Sequence, residues 1–229
     1  MRGLFVTGTD TGVGKTVLSA CLLAAMKDAG EPVRAYKPVV TGLDDAELTD
    51  APGGWPPDHV LLGAAAEMEP EEVSPLRFGP AVSPHLAAEL AGVSIDPAEL
   101  VAAARERGEG ATLVVEGVGG LLVPLSPTYT VLDLAEALGL PLLIAARPGL
   151  GTINHTLLTL QAARDRGIEV RAVVLTPWPT EPDAMQRSNG ATIERLGGVE
   201  VCMLAQVGGP NPPELAWAAH ALPWRDWLA

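Results

Sequence analysis

Lys15, Lys37, Thr16, Asp58 and Glu116 are the residues whose types and positions can do chemistry in this sequence. Lys15 and Thr16 close the stretch GTDTGVGKT, residues 8–16, directly after the apolar run Leu4-Phe5-Val6. A strand, a glycine-rich turn and then Lys-Thr opening a helix is the order of a phosphate-binding loop. Gly8, Gly12 and Gly14 let successive backbone N–H groups point inward, and the helix beginning near Lys15 adds the positive end of its dipole. Lys15 then supplies a full charge for the β- and γ-phosphates, and the Thr16 hydroxyl suits Mg²⁺. The strict pattern has glycine at position 9, where Thr9 stands, so the loop is a variant. Its residues Gly12, Val13, Gly14, Lys15, Thr16 and Val17 are expected to wrap a nucleotide triphosphate.

Lys37 ends the run VRAYK before Pro38, and Glu116 ends Leu113-Val114-Val115. A strand-end lysine or acid can be an ordinary solvated side chain. In a parallel α/β sheet, however, the C-terminal ends of the strands are where ligands bind. Thr16, Asp58 and Glu116 are the candidate magnesium ligands, since that ion takes a few hard oxygens and keeps waters. Asp58 follows an acidic stretch with Asp44, Asp45 and Asp50 nearby, and capping its helix is an alternative role. Gly117, Gly119 and Gly120 allow close backbone approach. Gly151-Thr152-Ile153-Asn154 opens a helix after a strand, and its free N–H groups suit a carboxylate or simply an ordinary helix start. His85 and His155 read as structural, and no His/Cys cluster has zinc spacing.

The elements that must position these residues are short apolar runs alternating with helical patterns. Strands are expected at 3–7, 33–37, 111–116, 141–146, 170–175 and 199–204. They are aliphatic and mostly unalternated, which suits strands covered on both faces. Helices are expected at 15–29, 58–68, 84–91, 97–107, 131–138, 152–166, 182–196 and 213–221. The alternation predicts a P-loop NTPase-type α/β fold, three layers around a mostly parallel sheet, with residues 1–229 as one domain. Residues 42–57, 176–182 and 208–213 are expected as loops at the ligand edge. Trp217, Trp224 and Trp227 are expected to pack the C-terminal segment.

The formal charge of −13 and the lack of a Lys/Arg run argue against a nucleic-acid partner. Cys21 and Cys202 form no disulfide framework, which fits a reducing, cytoplasmic compartment. No stretch reaches the roughly 20 apolar residues of a membrane span.

GTDTGVGKT resembles the P-loop of the dethiobiotin synthases. Four further blocks follow in the family's order: AYKPVVTG (35–42), SPHLAAE (83–89), VVEGVGGLLVPL (114–125) and GLGTINHTLLT (149–159). The resemblance covers most of residues 3–175. It implies a homodimer that closes the ureido ring of dethiobiotin from 7,8-diaminononanoate, CO₂ and ATP with Mg²⁺. It implies that Lys37, with Lys15, neutralises a carbamate and the transferring phosphoryl group, and that Thr11 and Thr41 offer hydroxyls to the carbamate or diamine. DHVLLGAA resembles the family's Asp-led helix, which favours Asp58 as a metal ligand. Gly117, Val118 and Gly119 would border the phosphates or diamine. Leu150, Gly151, Thr152 and Asn154 would hold the substrate's distal carboxylate from the partner subunit, so that the active site lies at the subunit interface.

The sequence departs from the family where the base is read. The usual Asn-Asp is replaced by Thr176-Pro177, and the later Ile-Pro-Trp-like element by Leu204-Ala205-Gln206-Val207. Thr176, Pro177, Ala205, Gln206 and Val207 should still border the nucleotide, with loose base choice. Two other classes are a P-loop switch ATPase of the chromosome-partitioning kind and a nucleotide-binding module without turnover. The first often carries a lysine early in the loop, where this chain has Asp10, and the second leaves Lys37, Asp58 and Glu116 unexplained.

Overall fold

Strand β1 (Gly3–Gly8) sends its side chains alternately into two cores, Leu4 and Val6 to one and Phe5 to the other. The same division runs through β5 (Thr112–Gly120), where Val114 faces one core and Leu113 and Val115 the other. In β8 (Leu142–Ala146), Leu143 and Ala145 oppose Leu142, Ile144 and Ala146. In β9 (Val170–Trp178), Ala172 and Val174 oppose Val173 and Leu175. Both faces of these strands are buried, which is why the sequence shows aliphatic runs instead of alternation.

The computed structural model describes residues 1–45 and 54–229. The middle of the expected loop at 42–57, including Asp50, lies outside them. With β2 (Val33–Tyr36) and β10 (Glu200–Ala205), the central sheet has the order β10-β9-β8-β1-β5-β2, and every neighbouring pair is parallel. One face is covered by α1 (Lys15–Asp28), α2 (Asp58–Ala66), α3 (Pro70–Val73), α9 (Pro212–Ala218) and α10 (Trp224–Trp227). The other is covered by α4 (Pro84–Ala91), α5 (Pro97–Arg107), α6 (Val131–Leu138), α7 (Thr152–Asp165) and α8 (Ala184–Gly197). This is the three-layer arrangement expected from the alternation of elements. Asp96 caps α5 by accepting from the Ala98 N–H, with Pro97 in the first turn.

Several elements differ from the sequence expectation. β9 runs on to Trp178, so Thr176 and Pro177 end a strand instead of starting a loop. Trp178 is registered with Ala205, and its carbonyl accepts from the Gln206 N–H at 3.1 Å. Pro177 lies beyond the last β8 partner, Ala146, where the ladder needs no N–H from it. β5 likewise continues to Gly120. Val6 faces Glu116 and Gly8 faces Gly120, so β5 takes four steps where β1 takes two, and its end bulges toward the P-loop. Two short ladders were not foreseen, β3 (Val39–Val40) with β4 (Leu76–Arg77) and β6 (Pro124–Ser126) with β7 (Tyr129–Thr130). Trp224 and Trp227 are buried as expected, but Trp217 is largely exposed.

Candidate active site

The P-loop joins β1 to α1, and two glycines in it are fixed by close approach. A Cβ at Gly8 would lie 2.7 Å from Val13 Cγ2 and 3.1 Å from Lys15 Cδ, so the Lys15 stem folds back over bare backbone. Its Nζ donates to the Asp10 carbonyl at 2.8 Å. Gly14 caps α1 at φ 97°, and a Cβ there would meet Thr176 Cγ2 at 2.8 Å. The loop therefore rests against the end of β9. Val13 turns its side chain into the core, leaving only its backbone for a ligand.

Beside Thr16 the strand ends bring a charged cluster together. Glu116 Oε1 accepts from Lys37 Nζ at 2.5 Å and from Thr16 Oγ1 at 2.8 Å. Lys37 Nζ also pairs with Asp58 Oδ2 at 2.7 Å. Lys37 is 3% exposed and Glu116 0%, whereas Asp58 keeps 45% at the mouth of the site. Glu116 Oε2 is buried and has no hydrogen-bond partner among the described residues. Asp58 is the first residue of α2 and Pro57 occupies the capping position, so the capping role is not the one the structure gives it. Asp58 stands where it faces Lys37.

The local electrostatics separate the two lysines. Burial works against the Lys37 charge, but Asp58 and Glu116 outweigh it and raise its pKa above the ordinary lysine value. Burial also disfavours the charged Asp58 carboxylate, yet the Lys37 charge and hydrogen bonds from Lys37 and Thr16 hold its pKa below the usual range. Lys15 is lowered to about 8, by burial first and by Lys37 second, against the pull of Glu116, Asp58 and Asp10. A triphosphate bound beside Lys15 would favour its charged form and raise that pKa again. Affinity should therefore be fully present below pH 8 and fall as pH rises above it, with proton uptake on binding. Calorimetry at pH 8.5 in buffers of different ionisation enthalpy measures that uptake. Binding with no net proton exchange there would remove Lys15 from the phosphates.

A cavity of about 610 Å³ opens over the cluster. Of the expected residues, Thr11, Gly12, Gly14, Lys15, Thr16 and Val17 line it from the P-loop. Lys37, Thr41, Asp58, Val118 and Gly119 line it from the strand ends and α2. Glu116 reaches it only through Lys37 and Thr16, and Gly117 is buried behind it. Pro177, Ala205, Gln206 and Val207 lie off this cavity, at the ends of β9 and β10, and Thr176 touches it only by way of Gly14. Leu150, Gly151, Thr152 and Asn154 lie outside it as well.

Sequence reasoning missed part of the lining. Trp55, Pro57, Leu61, Ser83 and Val123 all face the cavity. Ser83 belongs to the block SPHLAAE, and its Oγ pairs with His85 Nδ1 at 3.0 Å, so the block was visible but the role was not. Arg147 was missed entirely, although its guanidinium donates to the Gly12 carbonyl.

The chain matches the family model described as an AAA domain over residues 2–216. It is 43% identical to the ATP-dependent dethiobiotin synthetase BioD of Anaeromyxobacter dehalogenans (strain 2CP-1 / ATCC BAA-258), over 97% of this chain and 96% of that one. It is 37% identical to the protein of the same name from Bacillus subtilis (strain 168), over 88% and 85% of the two chains. Among solved structures, a ParA family ATPase from Chlorobium tepidum TLS superposes with a TM-score of 0.55 at 15% identity, covering 96% of this chain and 100% of that one, a likeness of fold alone. Among the described residues no helix is long and apolar enough to cross a membrane. Identities of this size over nearly the whole of both chains, joined to a P-loop and a buried lysine-carboxylate cluster, place the chain in the ATP-dependent dethiobiotin synthetase family.

Proposed function

We propose that this chain closes the ureido ring of dethiobiotin from 7,8-diaminononanoate, CO₂ and ATP. The observation that carries the reading is the Lys37 ammonium, held between Glu116 and Asp58 beside the P-loop threonine. One amine of the substrate bonds to the carbon of CO₂ and loses a proton, giving a carbamate. A carbamate oxygen attacks the γ-phosphorus and ADP leaves. The second amine attacks the resulting mixed anhydride at carbon, the C–O bond to phosphate breaks, and the ring closes. Negative oxygens appear at each stage, and a fixed ammonium in a partly dry cavity stabilises them more than water does. Lys37 answers the carbamate and the moving phosphoryl group. Lys15 and the P-loop N–H groups answer the triphosphate, and the Thr11 and Thr41 hydroxyls orient the diamine.

The residues fit Mg²⁺. Glu116 Oε2 is a buried carboxylate oxygen without a partner among the described residues, and Thr16, which bonds the other oxygen of that carboxylate, and Asp58, which pairs with Lys37, add two hard donors to the cluster. Three protein oxygens leave room for phosphate oxygens and water, the usual way this ion is held. When bound, the ion would draw charge from the β- and γ-phosphate oxygens.

We read the active form as a cytoplasmic homodimer of single P-loop α/β domains. Leu150 is 94% exposed beside the N-terminus of α7, whose first N–H is taken by the Gly149 carbonyl, and we read this end as covered by a partner subunit whose substrate's carboxylate meets the N–H groups that follow. The test is phosphate release with triphosphate and Mg²⁺, with and without diamine and bicarbonate. Release should require both, and release indifferent to the diamine would contradict ring closure. The same assay addresses the base. Thr176 offers one hydroxyl and Pro177 no N–H, so kcat/KM for ATP, CTP and GTP should agree within about tenfold. A preference for ATP far beyond that would mean that other contacts read the base.

A further inference from the structure

The segment proposed to meet the substrate's carboxylate has no apolar anchor at its tip, where Leu150 is exposed. Polar clamps fix its course from two sides. Asn189 of α8 is 7% exposed, and its Nδ2 donates to the Pro148 carbonyl at 2.9 Å and to the Gly149 carbonyl at 3.1 Å. Both amide hydrogens are thus used on successive carbonyls of one turn. On the other side, Arg147 Nε and Nη2 donate to the Gly12 carbonyl of the P-loop at 3.3 and 3.1 Å. The Gly149 carbonyl also accepts from the Thr152 N–H at 3.3 Å, so the path of residues 147–151 determines where α7 begins.

We infer that Asn189 and Arg147 are positioning residues for recognition of the diamine's carboxylate. They hold the 147–151 turn, and through it the N–H groups of Ile153 and Asn154 in the first turn of α7, at the place the partner's substrate reaches. The inference rests on the proposed reading in which Gly151–Asn154 takes that carboxylate. Neither residue lines the cavity over Lys37. Asn189 bonds the turn alone, so its loss acts on one end of the substrate, whereas Arg147 also holds the P-loop at Gly12, and only the ratio between two diamines separates its effect on the carboxylate from its effect on the triphosphate. Asparagine is required over aspartate because the two facing groups are both acceptors. A carboxylate in that place repels them and moves the turn, and an offset of about 1 Å at such a turn is enough to lose a productive pose.

The test compares two substrates in the intact dimer: 7,8-diaminononanoate, and 2,3-diaminononane, the same diamine with a methyl group in place of the carboxylate. The readout is the ratio of their kcat/KM values. Wild type should favour the carboxylate strongly. Asn189→Asp should lower that ratio about tenfold or more, through KM for the diaminononanoate, with kcat and the triphosphate KM little changed. Arg147→Ala, at an exposed residue, should lower the ratio in the same direction and keeps the test open if Asn189→Asp does not fold. A wild type that treats the two diamines alike overturns the carboxylate reading and this inference with it. A discriminating wild type whose variants keep the same ratio, however slow they are, overturns the inference alone.

Discussion

Lys37→Ala lowers ring closure by about 10³-fold while triphosphate affinity stays within about threefold, because the lost charge is aimed at oxygens that become more negative as the reaction proceeds. On the proposed reading the triphosphate is held mainly by the P-loop N–H groups and Lys15, and the P-loop backbone does not pass through Lys37, so ground-state binding should largely persist. The variant has a second signature. Glu116 is wholly buried, and without Lys37 the Thr16 hydroxyl is its one remaining partner among the described residues. An uncompensated buried carboxylate costs about 3–5 kcal/mol, equivalent to a Tm lower by about 10 °C. Mg²⁺ should restore part of that loss by replacing the missing charge, whereas it should do little for wild-type stability. Product by mass spectrometry, nucleotide affinity by calorimetry and Tm with and without Mg²⁺ separate the three effects. Parallel loss of binding and ring closure would take Lys37 away from the reacting oxygens.

The parts of this site that are local in sequence were legible in it. Gly8 to Thr16 makes its strand, turn and helix from neighbouring residues, so spacing alone describes it. Lys37 and Glu116 are 79 positions apart, and the sequence places each only at a strand end. That Lys37 and Thr16 meet one oxygen of Glu116 follows from the order in which β2, β5 and β1 lie side by side, and Asp58 closes the cluster from the start of α2. The continuation of β9 to Trp178 escaped because Thr176-Pro177 reads as a strand end, whereas pairing with β10 carries the strand on. Asn189 looked like any polar residue of a helix, and Arg147 like any exposed arginine. Their partners are carbonyls, which no residue type reveals. Trp217 lies exposed on α9, whereas Trp224 and Trp227 of α10 are buried, a difference that residue type does not reveal.

The switch-ATPase alternative drew on the P-loop and the alternation of elements, and the fold is shared with the ParA family structure. At 15% identity that likeness reaches the architecture and stops there. What distinguishes this chain lies at the strand ends: Asp10 where a switch often has lysine, and a lysine with two carboxylates beside Thr16.

Glu116→Gln is the sharper probe of the metal because it spares the fold. Glutamine keeps a carbonyl oxygen that can accept from Lys37 and Thr16 as Oε1 does now, and Asp58 still pairs with Lys37. What changes is the free position. The oxygen that has no partner becomes an NH₂ group, which donates and cannot ligate a cation. The Mg²⁺ concentration for half-maximal ring closure should rise by about 10–100-fold, and kcat at saturating Mg²⁺ should fall as well. Triphosphate affinity without Mg²⁺ should hardly move, since Lys15 and the P-loop N–H groups are untouched. The opposing view is that Glu116 serves only as counterion to Lys37. It predicts a lower rate with an unaltered magnesium titration, because Lys37 would lose part of its positioning while the metal kept all its ligands. The half-saturation point decides between them: a shift assigns the unpaired oxygen to the cation, and a constant value returns Glu116 to Lys37 alone.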